Sequence, residues 1–299
     1  MLNRTCGSVS VKAPAKINIH LEIAGKRADG YHDIVSIFQM VSLYDELAVT
    51  CIDGLRKIAL YGFGGIPPAE NLVYKAAALF QHATGIRGEI HVHATKNIPP
   101  GAGLAGGSSN AAAILRALNR IYSGPLSADE LRELGMKLGS DVGFFLVGPT
   151  ALVTGRGEYI SPIATRQDVK YLVIVPEFRV NTASAYELYD TEIHEKPEYR
   201  IRKEDLIDIY TTQSVDKWSF SNSFLPLVLQ NHPETHTLME TLKQRGAAFA
   251  GLSGSGSAFF AVFPRERETR EISQLIRKTY PAVFTVTSLT RLPVISPID

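Results

Sequence analysis

A chain of 299 residues, 45% apolar and 20% charged, has material for two ordinary globular domains. Its 31 basic and 30 acidic side chains leave a net charge of +1, which excludes the cationic excess typical of nucleic-acid binding. No apolar run approaches the ~18 residues of a membrane span, so neither nucleic acid nor membrane is an expected partner.

The start of the chain, MLNRTCGSVSVKAP, lacks a signal peptide's apolar core. Cys6 and Cys51 show no metal-ligand spacing, and a reducing cytoplasm is the simplest setting. Residues 8–26 read as strand, proline break, strand, with Ile17, Ile19, Leu21 and Ile23 alternating with Asn18, His20 and Glu22. Ala28-Asp29-Gly30 signals a turn, and 34–51 a second extended pair. Residues 71–85 predict a helix stopped at Gly85, and 89–94 a strand. Helices follow over 108–122 and 127–139. Residues 140–146 read as a turn into an apolar run, and 150–163 as a hairpin about Gly155-Arg156-Gly157.

YLVIVPE (171–177) is a buried strand, and 181–190 a short helix capped by Asn181 or Thr182. The polar stretch 191–222 is helical or irregular. Residues 233–246 form a helix, 247–263 a strand, glycine turn and strand, 268–280 an amphipathic segment, and 282–289 the final strand. The alternation lacks a barrel's even repeat. It predicts an α+β protein of two domains, 1–166 and 167–299.

PPGAGLAGGSSNAAAIL (99–115) is the strongest functional signal. Glycines let backbone N–H groups converge, and a helix start adds unpaired amides and a positive dipole end, so the pair suits a phosphate. A glycine-rich structural turn capped by Ser108 or Ser109 is the plainer alternative. Gly101, Gly103 and Gly106 spell G-x-G-x-x-G, but a dinucleotide fold needs a strand running into the first glycine, and Lys96-Asn97-Ile98-Pro99-Pro100 intervenes. The acids about 20 residues on, Asp129 and Glu130, suit the first turn of a helix capped by Ser127. A Walker loop would end in Gly-Lys-Ser/Thr, and the protein-kinase motif set is missing.

Three segments stand in a telling order: Ala13-Pro14-Ala15-Lys16-Ile17-Asn18, then Pro100 through Ser109, then Leu252-Ser253-Gly254-Ser255-Gly256. Together they resemble the GHMP small-molecule kinase family. ADGYHDI (28–34), GSDVGFF (139–145) and TGRGE (154–158) narrow the resemblance to a branch with a cytidine-diphosphate-linked acceptor. The resemblance covers nearly the whole chain. It implies an N-terminal domain like the second domain of ribosomal protein S5 and a ferredoxin-like C-terminal domain. It also implies transfer of the γ-phosphoryl of ATP to the 2-hydroxyl of cytidine-diphosphate-linked methylerythritol, in the non-mevalonate isoprenoid route.

Under that resemblance Asp141 is the candidate base and Lys16 its cationic partner; locally they also read as a solvated turn residue and an edge-strand lysine. The loop Pro99, Pro100, Gly101, Ala102, Gly103, Leu104, Ala105, Gly106, Gly107, Ser108 and Ser109 would hold ATP, with Ser109 the hydroxyl beside Mg-ATP. Asn18 shares a strand face with Lys16 and either bonds substrate or meets solvent. Tyr31 and His32 suit a cytosine by stacking and hydrogen bonding, or are a packed Tyr and an exposed His. Thr182 and Tyr186 belong to the same acceptor site, Tyr186 as its second aromatic. Ser253, Gly254, Ser255 and Gly256 would approach the phosphates, or form only a hairpin bend. No carboxylate cluster forms a metal cage, so Mg²⁺ would ride on ATP and water; His91 and His93 share a face but show no third ligand. Ala105, Gly143 and Ser257 depart from the family pattern, the latter two standing where proline is usual, and Gly143 is expected to loosen the segment holding Asp141. The sequence leaves monomer and homodimer open.

Overall fold

The computed structural model describes residues 5–192 and 201–298. Two long antiparallel strands, β1 (Thr5–Lys26) and β2 (His32–Ile52), form its spine. Each was expected as two pieces. Pro14 does not end β1, because it sits where the β1–β2 register shifts between Pro14 and Ala15. At such a bulge the missing N–H removes no ladder bond.

The remaining elements of the first layer are β3 (Lys57–Tyr61), α1 (Leu72–Thr84), β4 (Glu89–Thr95), α2 (Gly106–Ile121), α3 (Ala128–Leu138), α4 (Ser140–Val147), β5 (Thr150–Gly155) and β6 (Tyr159–Pro162). The far half of β2 pairs with β4, which pairs in parallel with β3; its near half pairs with β5, then β6. Helix α1 stops at Gly85 in the left-handed region (φ 71°), as its sequence predicts. Ser127 and Glu130 close a capping box on α3, which settles the place of Asp129 and Glu130 in its first turn. Residues 140–146 are helical rather than a turn. Gly143 lies inside α4, and a Cβ there would come within 2.3 Å of Met136 Sδ. Met136 fills the space, so the helix carrying Asp141 is packed rather than loosened.

The second layer contains β7 (Val169–Val175), α5 (Thr182–Glu192), α6 (Lys203–Thr212), α7 (Leu225–Asn231), α8 (Glu234–Gln244), β8 (Phe249–Leu252), β9 (Phe259–Pro264), α9 (Arg270–Ile276) and β10 (Ala282–Thr287). Its four strands run in the order β10-β7-β9-β8, all antiparallel. Of the polar stretch, 193–200 lies outside the described residues. Strand β10 is not the last: β11 (Ile295–Pro297) returns to the first sheet and pairs with β1.

Three apolar clusters hold these layers. In the first, α1, α2 and α4 cover β1, β2 and β4. In the second, Ile17, Ile19 and Ile37 meet Tyr171, Val173, Phe260 and Val262 between the two sheets. In the third, Leu172, Ile174, Phe259 and Phe263 face α7, α8 and α9. Strand β7 thus alternates between two apolar clusters, which is why its residues 171–175 are an unbroken apolar run. Because Ile17 and Ile19 face the second sheet, Lys16 and Asn18 are aimed the other way.

Candidate active site

A cavity of about 530 Å³ lies where β1, the glycine loop, α4, α5 and the 253–256 turn converge. Gly101 and Gly103 have positive φ (69° and 76°), and Ala105, also left-handed at φ 55°, is the N-cap of α2. Ser109 N donates to Ala105 O (2.9 Å), so the amides of Gly106, Gly107 and Ser108 precede the first helical bond. A Cβ on Gly103 would sit 2.1 Å from Ser253 O, so the loop passes tightly under the second layer. The phosphate-seat geometry is therefore present, and no serine caps α2.

Lys16 and Asp141 come together. Lys16 Nζ lies 3.8 Å from Asp141 Oδ2, 4.6 Å above the Phe38 ring, and donates to Asn18 Oδ1 (2.5 Å). The Lys16 side chain is 5% exposed and that of Asp141 33%. Burial lowers the Lys16 pKa, while the neighbouring Asp141 charge opposes that shift. Asn18 bonds Lys16, so it is not a solvent-facing residue.

Most of the loop lines the cavity: Pro99, Pro100, Gly101, Ala102, Gly103, Ala105, Gly106, Gly107 and Ser108. Leu104 and Ser109 do not. Leu104 is core, its carbonyl accepting from Lys16 N (3.1 Å), and the Ser109 hydroxyl is buried with no hydrogen-bond partner. Gly254 and Ser255 line the cavity, whereas Ser253 and Gly256 do not. The Ser253 hydroxyl accepts from Asn18 N (3.2 Å) and donates to Gly103 O (3.0 Å), so it bolts backbone.

At the acceptor end, Thr182 Oγ1 and Ser255 Oγ are hydrogen-bonded (3.1 Å). Tyr186 lines the cavity, stacked on His32 (4.7 Å, 21°) and edge-on to Phe224 (4.9 Å). Burial pushes the Tyr186 hydroxyl up to about 12. His32 is 9% exposed, hydrogen-bonded through Nε2 to Asp190 (2.7 Å), and Tyr31 is 59% exposed beneath the Arg156 guanidinium (4.9 Å). The pair thus reverses the packed-Tyr, exposed-His arrangement, and neither lines the cavity wall.

Sequence reasoning missed several residues. Arg156 lines the cavity from the β5–β6 turn, inside the TGRGE segment that supports the resemblance without assigning it a role. Lys96 lines it too and donates to Asp45 and to Asn110 Oδ1 (2.6 Å). The buried Asp45 carboxylate also accepts from Asn97 N (2.8 Å), Ile98 N (2.9 Å) and Asn110 Nδ2 (2.9 Å), fixing the entry to the loop. Asn71 caps α1, and its Nδ2 is buried at the cavity without a partner, a donor suited to a ligand acceptor. Unpartnered loop amides and this donor fit an anionic nucleotide. Among the described residues no group of three or more His, Cys, Asp or Glu could hold a metal ion. No helix there is long and apolar enough to cross a membrane.

The chain belongs to the GHMP kinase family, a class of small-molecule kinases whose two domain models it matches in order. The model of the GHMP kinases N terminal domain matches residues 71–149, and that of GHMP kinases C terminal matches 211–282. The chain is 37% identical over 279 residues to a 4-diphosphocytidyl-2-C-methyl-D-erythritol kinase of Bacillus pumilus, covering 92% of this chain and 95% of that one. It is 38% identical over 273 residues to the enzyme of that name from Nitratidesulfovibrio vulgaris, covering 88% and 93%. A crystal structure of 4-(cytidine 5'-diphospho)-2C-methyl-D-erythritol kinase superposes with a TM-score of 0.79 at 31% identity, covering 93% and 98%.

Proposed function

We infer that this chain uses ATP to phosphorylate the 2-hydroxyl of 4-diphosphocytidyl-2-C-methyl-D-erythritol, in the non-mevalonate isoprenoid route. The observation that carries the chemistry is the 3.8 Å approach of Lys16 Nζ to Asp141 Oδ2 in a cavity floored by the glycine loop. Phosphoryl transfer needs positioning and charge stabilisation more than covalent help from the protein. The amides before the first bond of α2 orient the phosphates. The Asp141 carboxylate accepts the acceptor hydroxyl's proton, and the Lys16 ammonium stabilises the oxygen as charge builds on it. Mg²⁺ would arrive with ATP and offset the phosphate charge; among the described residues no group of three or more His, Cys, Asp or Glu would hold it.

The Tyr186, His32 and Phe224 ring cluster supports an aromatic seat for the cytosine, and Tyr31, exposed beneath the cavity-lining Arg156, would offer a further ring. The domains divide at 166/167, with β11 returning to the first; the matched family models fall on either side of that point. A cytoplasmic setting is consistent with Cys6 and Cys51, which form no disulfide among the described residues.

ATP-dependent turnover of the cytidine-diphosphate-linked substrate tests the reading. Asp141→Asn and Lys16→Ala should each fold and lose about 10²–10⁴ in kcat. Wild-type rates in both would overturn the assigned roles. Equal turnover of an acceptor lacking the nucleobase would overturn the substrate.

A further inference from the structure

Ser36 lies on β2, opposite Leu21 of β1, and is fully buried. It does not line the cavity. Its hydroxyl donates to His20 O and accepts from Asn18 Nδ2 (3.0 Å). The β1–β2 register shifts between Asn18 and His20, and the Ser36 side chain bridges that shift.

The donor and acceptor bookkeeping around Ser36 has one solution. A carbonyl can only accept, so the single Ser36 proton goes to His20 O. The hydroxyl can then only accept from Asn18, and the Asn18 amide must present its nitrogen to it. The Asn18 oxygen is thereby left facing Lys16 Nζ, 2.5 Å away. A flipped amide would set two acceptors against each other at Ser36 and two donors against each other at Lys16. Both clashes would be buried, since Asn18 is 1% exposed and Lys16 4%. With Asn18 held, the ammonium is fixed between the amide oxygen, the Phe38 face and Asp141.

We propose that Ser36 is a positioning residue for phosphoryl transfer: its hydroxyl sets the orientation of the Asn18 amide, which aims the Lys16 ammonium at the reacting oxygen beside Asp141. This rests on the assignment of Lys16 and Asp141 as the reacting pair. Ser36 does not line the cavity, so its removal should act on kcat and leave binding nearly intact.

An isosteric pair tests the hydroxyl. Ser36→Thr keeps it and Ser36→Val removes it, while both add the same methyl bulk to a closed site. Ser36→Val should turn over about tenfold more slowly than Ser36→Thr, with the KM of ATP and of the acceptor within about twofold. In an Asn18→Ala background the ratio between the two variants should fall to about one. Equal kcat values, or a ratio unchanged in the Asn18→Ala background, would overturn the proposal. Crystal structures of the two variants give a readout independent of turnover. The Lys16–Asn18 contact should persist with threonine and be lost with valine, and its persistence in both would equally overturn the role. Failure of the kinase reading would instead show as a wild-type chain without turnover.

Discussion

Two buried basic side chains on β1, two residues apart from Asn18 on either side, have opposite tasks. Lys16 keeps an acid next to it, whereas burial pushes His20 down to about 4 from its ordinary 6.5. His20 Nδ1 accepts from Ser221 N (3.2 Å), so the neutral ring carries its proton on Nε2, 3.9 Å from Glu22 Oε2 and without a hydrogen-bond partner. The folded pKa lies below the unfolded one. Between pH 6.5 and 4 the unfolded chain therefore binds a proton that the folded chain does not, and stability falls as pH falls. The gap corresponds to about 3 kcal/mol at pH 4, with about 2 kcal/mol already lost by pH 5. His20→Asn keeps an acceptor for Ser221 N–H and removes the titration. Urea denaturation at pH 7 and pH 5 should show a loss of about 2 kcal/mol in the wild type and little in the variant, beyond what the carboxylates contribute. An identical loss in both would assign the acid sensitivity elsewhere.

At the level of elements, the glycine loop carries a correctable strain. Ala105, the N-cap of α2, holds φ 55° and ψ 33°, a left-handed conformation that costs an L-residue with a Cβ about 1–2 kcal/mol. Ala105→Gly relieves that strain against some gain in unfolded-chain entropy, for a net stabilisation of about 1 kcal/mol. Thermal unfolding should shift upward by ~2 °C, and a downward shift would mean that the lost methyl's contact with the core outweighs the strain. The loop was legible in the sequence because its signal is local: glycines, then a helix-forming run. The helices α1, α2 and α3 and strand β7 were legible for the same reason. Pro14 and residues 140–146 were not. Whether a proline breaks a strand depends on the bulge in the partner register, and whether GSDVGFF coils depends on Met136 filling the face of Gly143. The candidate site divides in the same way. Lys16, Asn18, Asp141 and Arg156 stand in recognisable motifs, whereas Ser36, Asp45 and Lys96 take their meaning from cross-strand register and tertiary contacts that no local pattern encodes.

Across the whole molecule, the two layers meet on a small set of buried polar bolts as well as on apolar surface. Ser253 is the central one, fully buried at the end of β8, joining Asn18 N of β1 to Gly103 O of the loop. Ala258 N donates to Ala102 O (3.0 Å) beside it, and Asn222 Nδ2 donates to Leu252 O (2.8 Å) and Gly254 O (2.9 Å). The turn is thereby held against the loop from one side and against the chain entering α7 from the other. Ser253→Ala keeps the Cβ and the packing but orphans one buried N–H and weakens one buried carbonyl. Each unsatisfied group costs about 1–3 kcal/mol, so the variant should lose about 2–4 kcal/mol of stability. Its glycine loop would no longer be tied to the strand that carries Lys16, so the KM for ATP should rise together with a fall in kcat. Both effects are measured on one preparation, by denaturation and by steady-state kinetics at saturating acceptor. A destabilised chain with unaltered ATP kinetics would show that Ser253 joins the layers without setting the loop. A chain of wild-type stability would show that Asn18 N–H and Gly103 O find other partners. Loss of both together would mean that the interface between the layers is also what holds the phosphate seat in register with the catalytic strand.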